Sequence, residues 1–251
     1  MSKFVLSANL PINAEYVLLG EKYRDRLDRV LRSYGLRPLY IPDNPYVDAR
    51  LSGHADLSVL HIGENRLILA PYLKNSDLSD KMTELGFEIS FPDIQMNKAY
   101  PQDSMLNICV CGDRFFCNTS SADKSCIEML RQRGAEPLHV KQGYTKCAVC
   151  VVDEKSIITS DQGIHTATLK VGYDSLLITE GHIVLQGFPY GFIGGSSFKI
   201  SSSKLAFTGS LDAHPSREKI IEFVKRKEIE PVFLTNDEIF DIGSILPLTE
   251  K

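Results

Sequence analysis

No stretch of this 251-residue chain approaches the roughly 18–20 consecutive apolar residues that cross a bilayer, so no membrane span is expected. The early apolar run from Phe4 to Ala8 is cut short by Asn9 and Pro11, too soon for the hydrophobic part of a secretory signal. The reading is a cytoplasmic protein whose six cysteines are reduced thiols. Positive charge is not in excess: 28 Lys and Arg stand against 32 Asp and Glu, a net charge of −4, which speaks against nucleic acid as a partner. The phosphate-loop pattern, G-x-x-x-x-G-K followed by Ser or Thr, is missing. CxxC occurs at Cys147 and Cys150 without the second pair a structural zinc site requires, and no metal or cofactor is expected. What is there, 43% hydrophobic and 24% charged residues, is ordinary globular composition.

A repeat runs through it. Gly, an apolar residue, a charge, often Pro and then an apolar run appear at Gly35 to Ile41, Gly86 to Phe91, Gly134 to Val140 and Gly172 to Ile178; Ile229 to Leu234 is a copy without the Gly. Several copies close a helical stretch, most clearly Tyr23 to Tyr34, where Leu27, Val30, Leu31 and Tyr34 share one face. The Gly suits the left-handed position after a helix, the Pro forbids continuation, and the apolar run reads as a buried strand. Ahead of the helices stand strands at Leu67 to Pro71, Phe115 to Thr119, Ile157 to Asp161 and Ala206 to Ser210, with Phe4 to Ala8 as a fifth. Ahead of these in turn stand Leu57 to Ile62, Leu106 to Cys111, Cys147 to Val152, Gly194 to Ile200 and Asp241 to Leu248, several followed by Gly or Asp hairpin signals. The unit is strand, strand, helix, strand, with a period of about 47 residues. Five units fit if the last is split between the two ends of the chain. The expectation is a single α/β domain over residues 1–251, a five-bladed α/β propeller of pseudo-fivefold ββαβ repeats whose fifth blade is closed by the N- and C-termini.

This architecture resembles the pentein superfamily, the guanidine-modifying-enzyme fold. The segments Arg50 to Val59, Lys141 to Cys147, Tyr190 to Gly195 and Asp241 to Leu248 resemble an uncharacterised bacterial family of that fold. In the superfamily's enzymes the resemblance implies a site at the mouth of a central channel. There a Cys attacks the guanidinium carbon, a His moves protons and carboxylates hold the planar cation. That Cys lies in the final repeat, whereas here Asp241 to Leu248 contains none and Cys150 is the last in the chain.

Candidate residues follow from the repeat. Asp56, Asp103, Lys146 or Cys147, the Gly194-Gly195-Ser196 turn and Asp241 fall at equivalent strand starts, and carboxylates gathered at one axis call for a cation among them. Asp56, Asp103, Lys146, Ser196 and Asp241 are therefore expected to bind substrate. His54, two residues before Asp56 and on the same side if the segment is a strand, or His182 would be the general acid and base. Cys147 is the substitute nucleophile, its thiol expected to be acidified by Lys146 and Lys141. On a strand Cys147 and Cys150 would face opposite ways. The glycines between Gly191 and Ser197 could offer amides to a carboxylate, and a loop such as Ile41 to Gly53 could cover the channel. Two functions fit: a hydrolase or amidinotransferase-like enzyme acting on a small guanidino or amino compound, or a non-catalytic pentein that binds a small molecule or a macromolecular partner.

Overall fold

The computed structural model describes residues 3–251. The chain begins with β1 (Lys3–Phe4), β2 (Tyr16–Gly20), α1 (Arg24–Ser33) and β3 (Arg37–Ile41). A complete unit follows: β4 (Val59–Gly63) runs antiparallel to β5 (Arg66–Leu69), α2 (Asp77–Glu84) crosses over, and β6 (Glu88–Ser90) returns parallel to β5. The same wiring recurs in β7 (Cys109–Cys111), β8 (Arg114–Cys117), α3 (Lys124–Gln132) and β9 (Glu136–His139). After the short α4 (Thr145–Ala148) it returns in β10 (Val149–Asp153), β11 (Ser156–Thr159), α5 (Gln162–Lys170) and β12 (Asp174–Leu177). It comes once more in β13 (Ser197–Ser201), β14 (Lys204–Phe207), α6 (Arg217–Arg226) and β15 (Glu230–Phe233). The unit at the N-terminus lacks a first strand of its own. β16 (Leu246–Pro247) takes that place, with Leu246 opposite Leu18 and Pro247 opposite Val17.

The five crossover helices end alike, as the sequence leads one to expect. Gly35, Gly86, Gly134 and Gly172 all adopt positive φ, and the next residue's N–H reaches back five positions: Leu36 to Leu31, Phe87 to Met82, Ala135 to Leu130 and Tyr173 to Thr168. That is the Schellman arrangement, in which a left-handed residue turns the chain so that orphan carbonyls are satisfied. The copy without glycine closes the same way, with Glu228 at φ 59° and Ile229 donating to Val224. On α1, Leu27 and Leu31 are buried whereas Tyr34 lies at the surface.

The structure corrects three readings. The middle strand of the N-terminal unit is Tyr16–Gly20, not Phe4 to Ala8. Asn9 at φ 68° and Pro11 turn the chain away, while the buried run Val17-Leu18-Leu19 leads straight into α1. Lys3–Phe4 instead pairs with β17 (Thr249–Glu250). The first strands also start later than expected, because single helical turns, Ala55–Leu57 and Thr145–Ala148, precede β4 and β10. Finally, Asp241 to Ile245 is loop rather than strand.

Apolar clusters join one unit to the next. Leu60 and Ile68 pack with Val110 and Phe115, Phe116 with Val151 and Ile157, and Ile158 with Leu205 and Phe207. Leu18 packs with Val59 and Leu69, and Val17, Leu27 and Leu31 with Phe198 and Val232, so the N-terminal unit shares a core with β4 and β5 on one side and with β13 to β15 on the other. Among the described residues no helix is long and apolar enough to cross a membrane.

Candidate functional site

Five segments that precede the first strands are stitched together by backbone and amide bonds. The turn at 54–56 docks on the loop at 241–244, Asp56 N–H donating to Gly243 C=O at 3.1 Å. Ser244 and Ile242 donate to Gly195 C=O, and Gly195 donates to Cys147 C=O at 2.8 Å. Asn107 ties in the remaining segment. Its Oδ1 accepts from the N–H groups of Lys146 (2.7 Å) and Cys147 (3.2 Å), and its Nδ2 donates to Asp56 C=O and to Cys147 Sγ. Gly195 is needed for close approach, since a Cβ there would run into the Asp241 carboxylate.

The side chains so gathered are charged, buried and coupled. The Cys147 thiol donates to Asp56 Oδ2 at 3.0 Å. Lys146 Nζ donates to Ser244 Oγ at 2.8 Å, and that hydroxyl lies 3.0 Å from Asp56 Oδ2 and 2.9 Å from Gly194 C=O. Asp241 accepts from the N–H groups of Phe192 and Gly243. His54 Nε2 and Asp56 Oδ1 are buried with no hydrogen-bond partner. Burial outweighs every other influence on these groups. It raises Asp56, raises Asp241 to about 6 against its two backbone donors, and lowers His54 to about 4. The Cys147 thiol is held well above its usual value by burial first, then by Asp56 and Asp241.

A cavity of about 260 Å³ opens above this floor. Its walls are largely apolar, with Leu51, Leu57, Leu185, Phe188 and Phe192 among them, while His54, Cys147 and Asp241 supply reactive groups. Part of the loop expected to cover the channel does reach over. Leu51 lines the cavity, and Arg50 Nη1 donates across to Gly187 C=O.

The structure thus brings together His54, Asp56, Lys146, Cys147 and Asp241. His54 and Asp56 converge through a helical turn rather than by alternation on a strand. The expected acidification of Cys147 is overturned: its neighbours are carboxylates, and the Lys141 side chain points to solvent. Asp103 stands one residue back from the cavity, accepting from the hydroxyl of the lining Tyr144 at 2.6 Å. Two candidates lie apart. His182 sits at φ 60° edge-on to His214, its ring centroid 5.9 Å away, and does not line the cavity. The Ser196 hydroxyl donates to the backbone carbonyls of Phe192 and Ile193, which leaves it no free proton for a ligand. Asn107 and Ser244 were not singled out in the sequence. Ser244 adopts φ 68°, a costly conformation for a serine, and lies within the Asp241 to Leu248 motif.

One donor atom each from His54, Asp56 and Cys147 lies within 4.8 Å of the others, a set of N, O and S donors that zinc accepts. An organic cation would offset the same buried carboxylates. Cys147 belongs to α4 and Cys150 to β10, so the CxxC pair is split between a helical turn and a strand; all six cysteines are free.

Solved structures share this fold at low identity. SxtG, an amidinotransferase of the saxitoxin biosynthetic pathway from Microseira wollei, is 11% identical with a TM-score of 0.65, covering 98% of both chains. Inosamine-phosphate amidinotransferase StrB1 from Streptomyces griseus is 11% identical with a TM-score of 0.59, covering 98% of this chain and 97% of its own. Agmatine deiminase from C. jejuni with substrate bound is 11% identical with a TM-score of 0.57, covering 100% and 97%. The protein therefore has the pentein α/β fold of guanidine-modifying enzymes. Within that fold the chain belongs to a family of unknown function (DUF6873), which matches residues 18–246. No curated protein matches it by sequence.

Proposed function

We propose that the five sheet units are the blades of a five-bladed α/β propeller, and that the central cavity acts on a small cationic guanidino or amino compound with an apolar body. One observation carries the functional reading: a thiol, a carboxylate and an imidazole lie within 4.8 Å of one another, buried at the floor of an apolar cavity.

Lys146, the cation of the cluster, bonds Ser244 rather than either carboxylate, and a bound guanidinium would pair with Asp56 and Asp241 directly. The same positive charge would favour the Cys147 thiolate, so the nucleophile is formed when substrate is present. Cys147 passes its proton to Asp56 and its sulfur adds to the guanidinium carbon. The C–N bond to the leaving amine then breaks as the proton taken up by Asp56 passes to that nitrogen, with the neutral His54 as relay. Water or an acceptor amine next attacks the carbon and the C–S bond breaks, returning the thiol. Asn107 holds the sulfur in place throughout, and Lys146 with Ser244 orients Asp56.

A second reading, a non-catalytic ligand-binding pentein, is favoured by the position of Cys147 outside the final unit and by the burial and nearby carboxylates that hold its thiol protonated. Thermal shift and product release with a panel of guanidines and amines separate the two. Enzyme action predicts that a stabilising compound is also turned over, that Cys147→Ala abolishes turnover, and that the thermal shift survives in the variant. Stabilisation without product would establish the binding reading. The guanidine proposal fails if no compound of the panel stabilises the protein.

A further inference from the structure

Five buried side-chain nitrogen or oxygen atoms have no hydrogen-bond partner among the described residues, and two of them, His54 Nε2 and Asp56 Oδ1, belong to the floor of the cavity. Such atoms are rare in folded proteins and call for a reason. A third group stands with them. His54, Asp56 and Cys147 are each more than nine-tenths buried, and one donor atom from each lies within 4.8 Å of the others. No compact sequence motif announces the set: His54 and Asp56 come from one helical turn, and Cys147 comes from α4, 91 residues beyond Asp56.

The three side chains are held from outside. Asn107 Nδ2 donates to Cys147 Sγ at 3.3 Å. Ser244 Oγ lies 3.0 Å from Asp56 Oδ2 and accepts in turn from Lys146 Nζ, so one oxygen of Asp56 is engaged while Oδ1 stays free. Gly243, at φ 69°, packs so closely on His54 that a Cβ there would collide with the histidine's Cβ and Cγ. Supporting contacts of this kind orient the ligands of metal sites.

We propose that His54, Asp56 and Cys147 bind a divalent transition-metal ion, zinc above all, with a fourth coordination position open to the cavity. Zinc takes thiolate, imidazole and carboxylate together, and three protein donors leave it one position for another ligand. His54 and Cys147 both line the apolar cavity, so that ligand is water or the lone-pair donor of a small apolar molecule held there. Charge fits as well. The thiol proton leaves to solvent as the ion enters, and the thiolate, Asp56 and Asp241 are then balanced by the ion and Lys146, which leaves the buried cluster neutral. The inference does not rest on the guanidine reading. With the ion bound Cys147 is a ligand and not a nucleophile, so the two describe different loadings of one floor.

Cobalt(II) and zinc(II), added to the full chain after chelator treatment under reducing conditions, test this. Cobalt is expected to bind once per chain, with the intense visible bands of a four-coordinate ion and a near-ultraviolet charge-transfer band from thiolate. Zinc should displace it, as the order of affinities among these ions requires. Cys150→Ser, which removes a buried thiol outside the set, should keep the charge-transfer band, and Cys147→Ser should lose it. Cys147→Ala takes the place of the serine variant if circular dichroism shows that variant unfolded. His54→Ala should weaken cobalt binding by more than the roughly tenfold that a change outside the coordination sphere costs. The site is overturned if the wild type shows no charge-transfer band, if the band survives loss of the Cys147 thiol, or if His54→Ala binds as tightly as the wild type. Guanidines added to the chelator-treated chain judge the other reading separately. A cobalt spectrum without guanidine stabilisation upholds this site and removes that function, and stabilisation without the spectrum does the reverse.

Discussion

At the residue scale, the site is a set of ionisable groups held against their solution preferences. His54 is kept neutral, Cys147 protonated, and Asp56 and Asp241 drawn toward protonation, all chiefly by burial. Asp241 gives this a measurable form. Its pKa is about 6 in the fold against 3.8 as the reference, so the folded state binds the proton first on acidification. Its charge therefore costs about 3 kcal/mol above pH 6, a penalty relieved as the pH falls toward 4. Urea unfolding of wild type and Asp241→Asn between pH 7 and 4 should show the wild type gaining by about that amount relative to the variant. Parallel profiles would contradict it. Asp56, Lys146, Cys147, Asp241 and His54 were legible because the repeat placed them at comparable points before the first strands. Asn107 and Ser244 were not, since each is a neutral side chain whose value lies in partners distant in sequence, such as Lys146 N–H for one and Lys146 Nζ for the other. His182 and Ser196 show the converse. Their positions suited a role, but His182 lies exposed beside His214 and outside the cavity, and two local carbonyls take up the Ser196 hydroxyl.

At the element scale, the most readable feature was the helix-to-strand junction. The left-handed residue, glycine in four copies, the N–H bond five positions back and the following strand recur because one local geometry is made five times. Glu228 departs from it, holding φ 59° with a Cβ where its counterparts have none. Glu228→Gly is expected to stabilise the protein by about 0.5–1 kcal/mol, read as a higher denaturant midpoint at unchanged slope. A lower midpoint would show that the side chain itself matters there. The starts of the first strands were misread for a physical reason. Apolar alternation continues through the turns at Ala55–Leu57 and Thr145–Ala148, whose residues are buried like the strands they introduce, so hydrophobicity alone does not mark the change.

At the scale of the whole molecule, the sheets depend on neighbours rather than on private cores, and the N-terminal unit depends on the far end of the chain. Leu246 and Leu248 are buried in the cluster that also contains Leu18 and Leu69. Truncation after Ile245 should therefore cost about 4 kcal/mol or more, from two lost leucines and the open edge of β2. A circular-dichroism melt would show it as a large drop in Tm, and a melt within a few degrees of wild type would refute it. The split unit was legible from the count of repeats. The identity of its strand was not, because Phe4 to Ala8 and Tyr16 to Gly20 are both short apolar runs and only the second flows into a helix.

The pairing of β1 with β17 also has a mechanical side. Lys3 faces Glu250 and Phe4 faces Thr249, so both ends of the described chain emerge side by side. Antiparallel hydrogen bonds lie across the strands, and tension applied through the two ends acts along those bonds, opening them in succession like a zip instead of shearing them together. Under load the molecule would yield at this seam, peeling β17 from β1 and then β16 from β2, while the sheets between β4 and β15 keep their internal ladders.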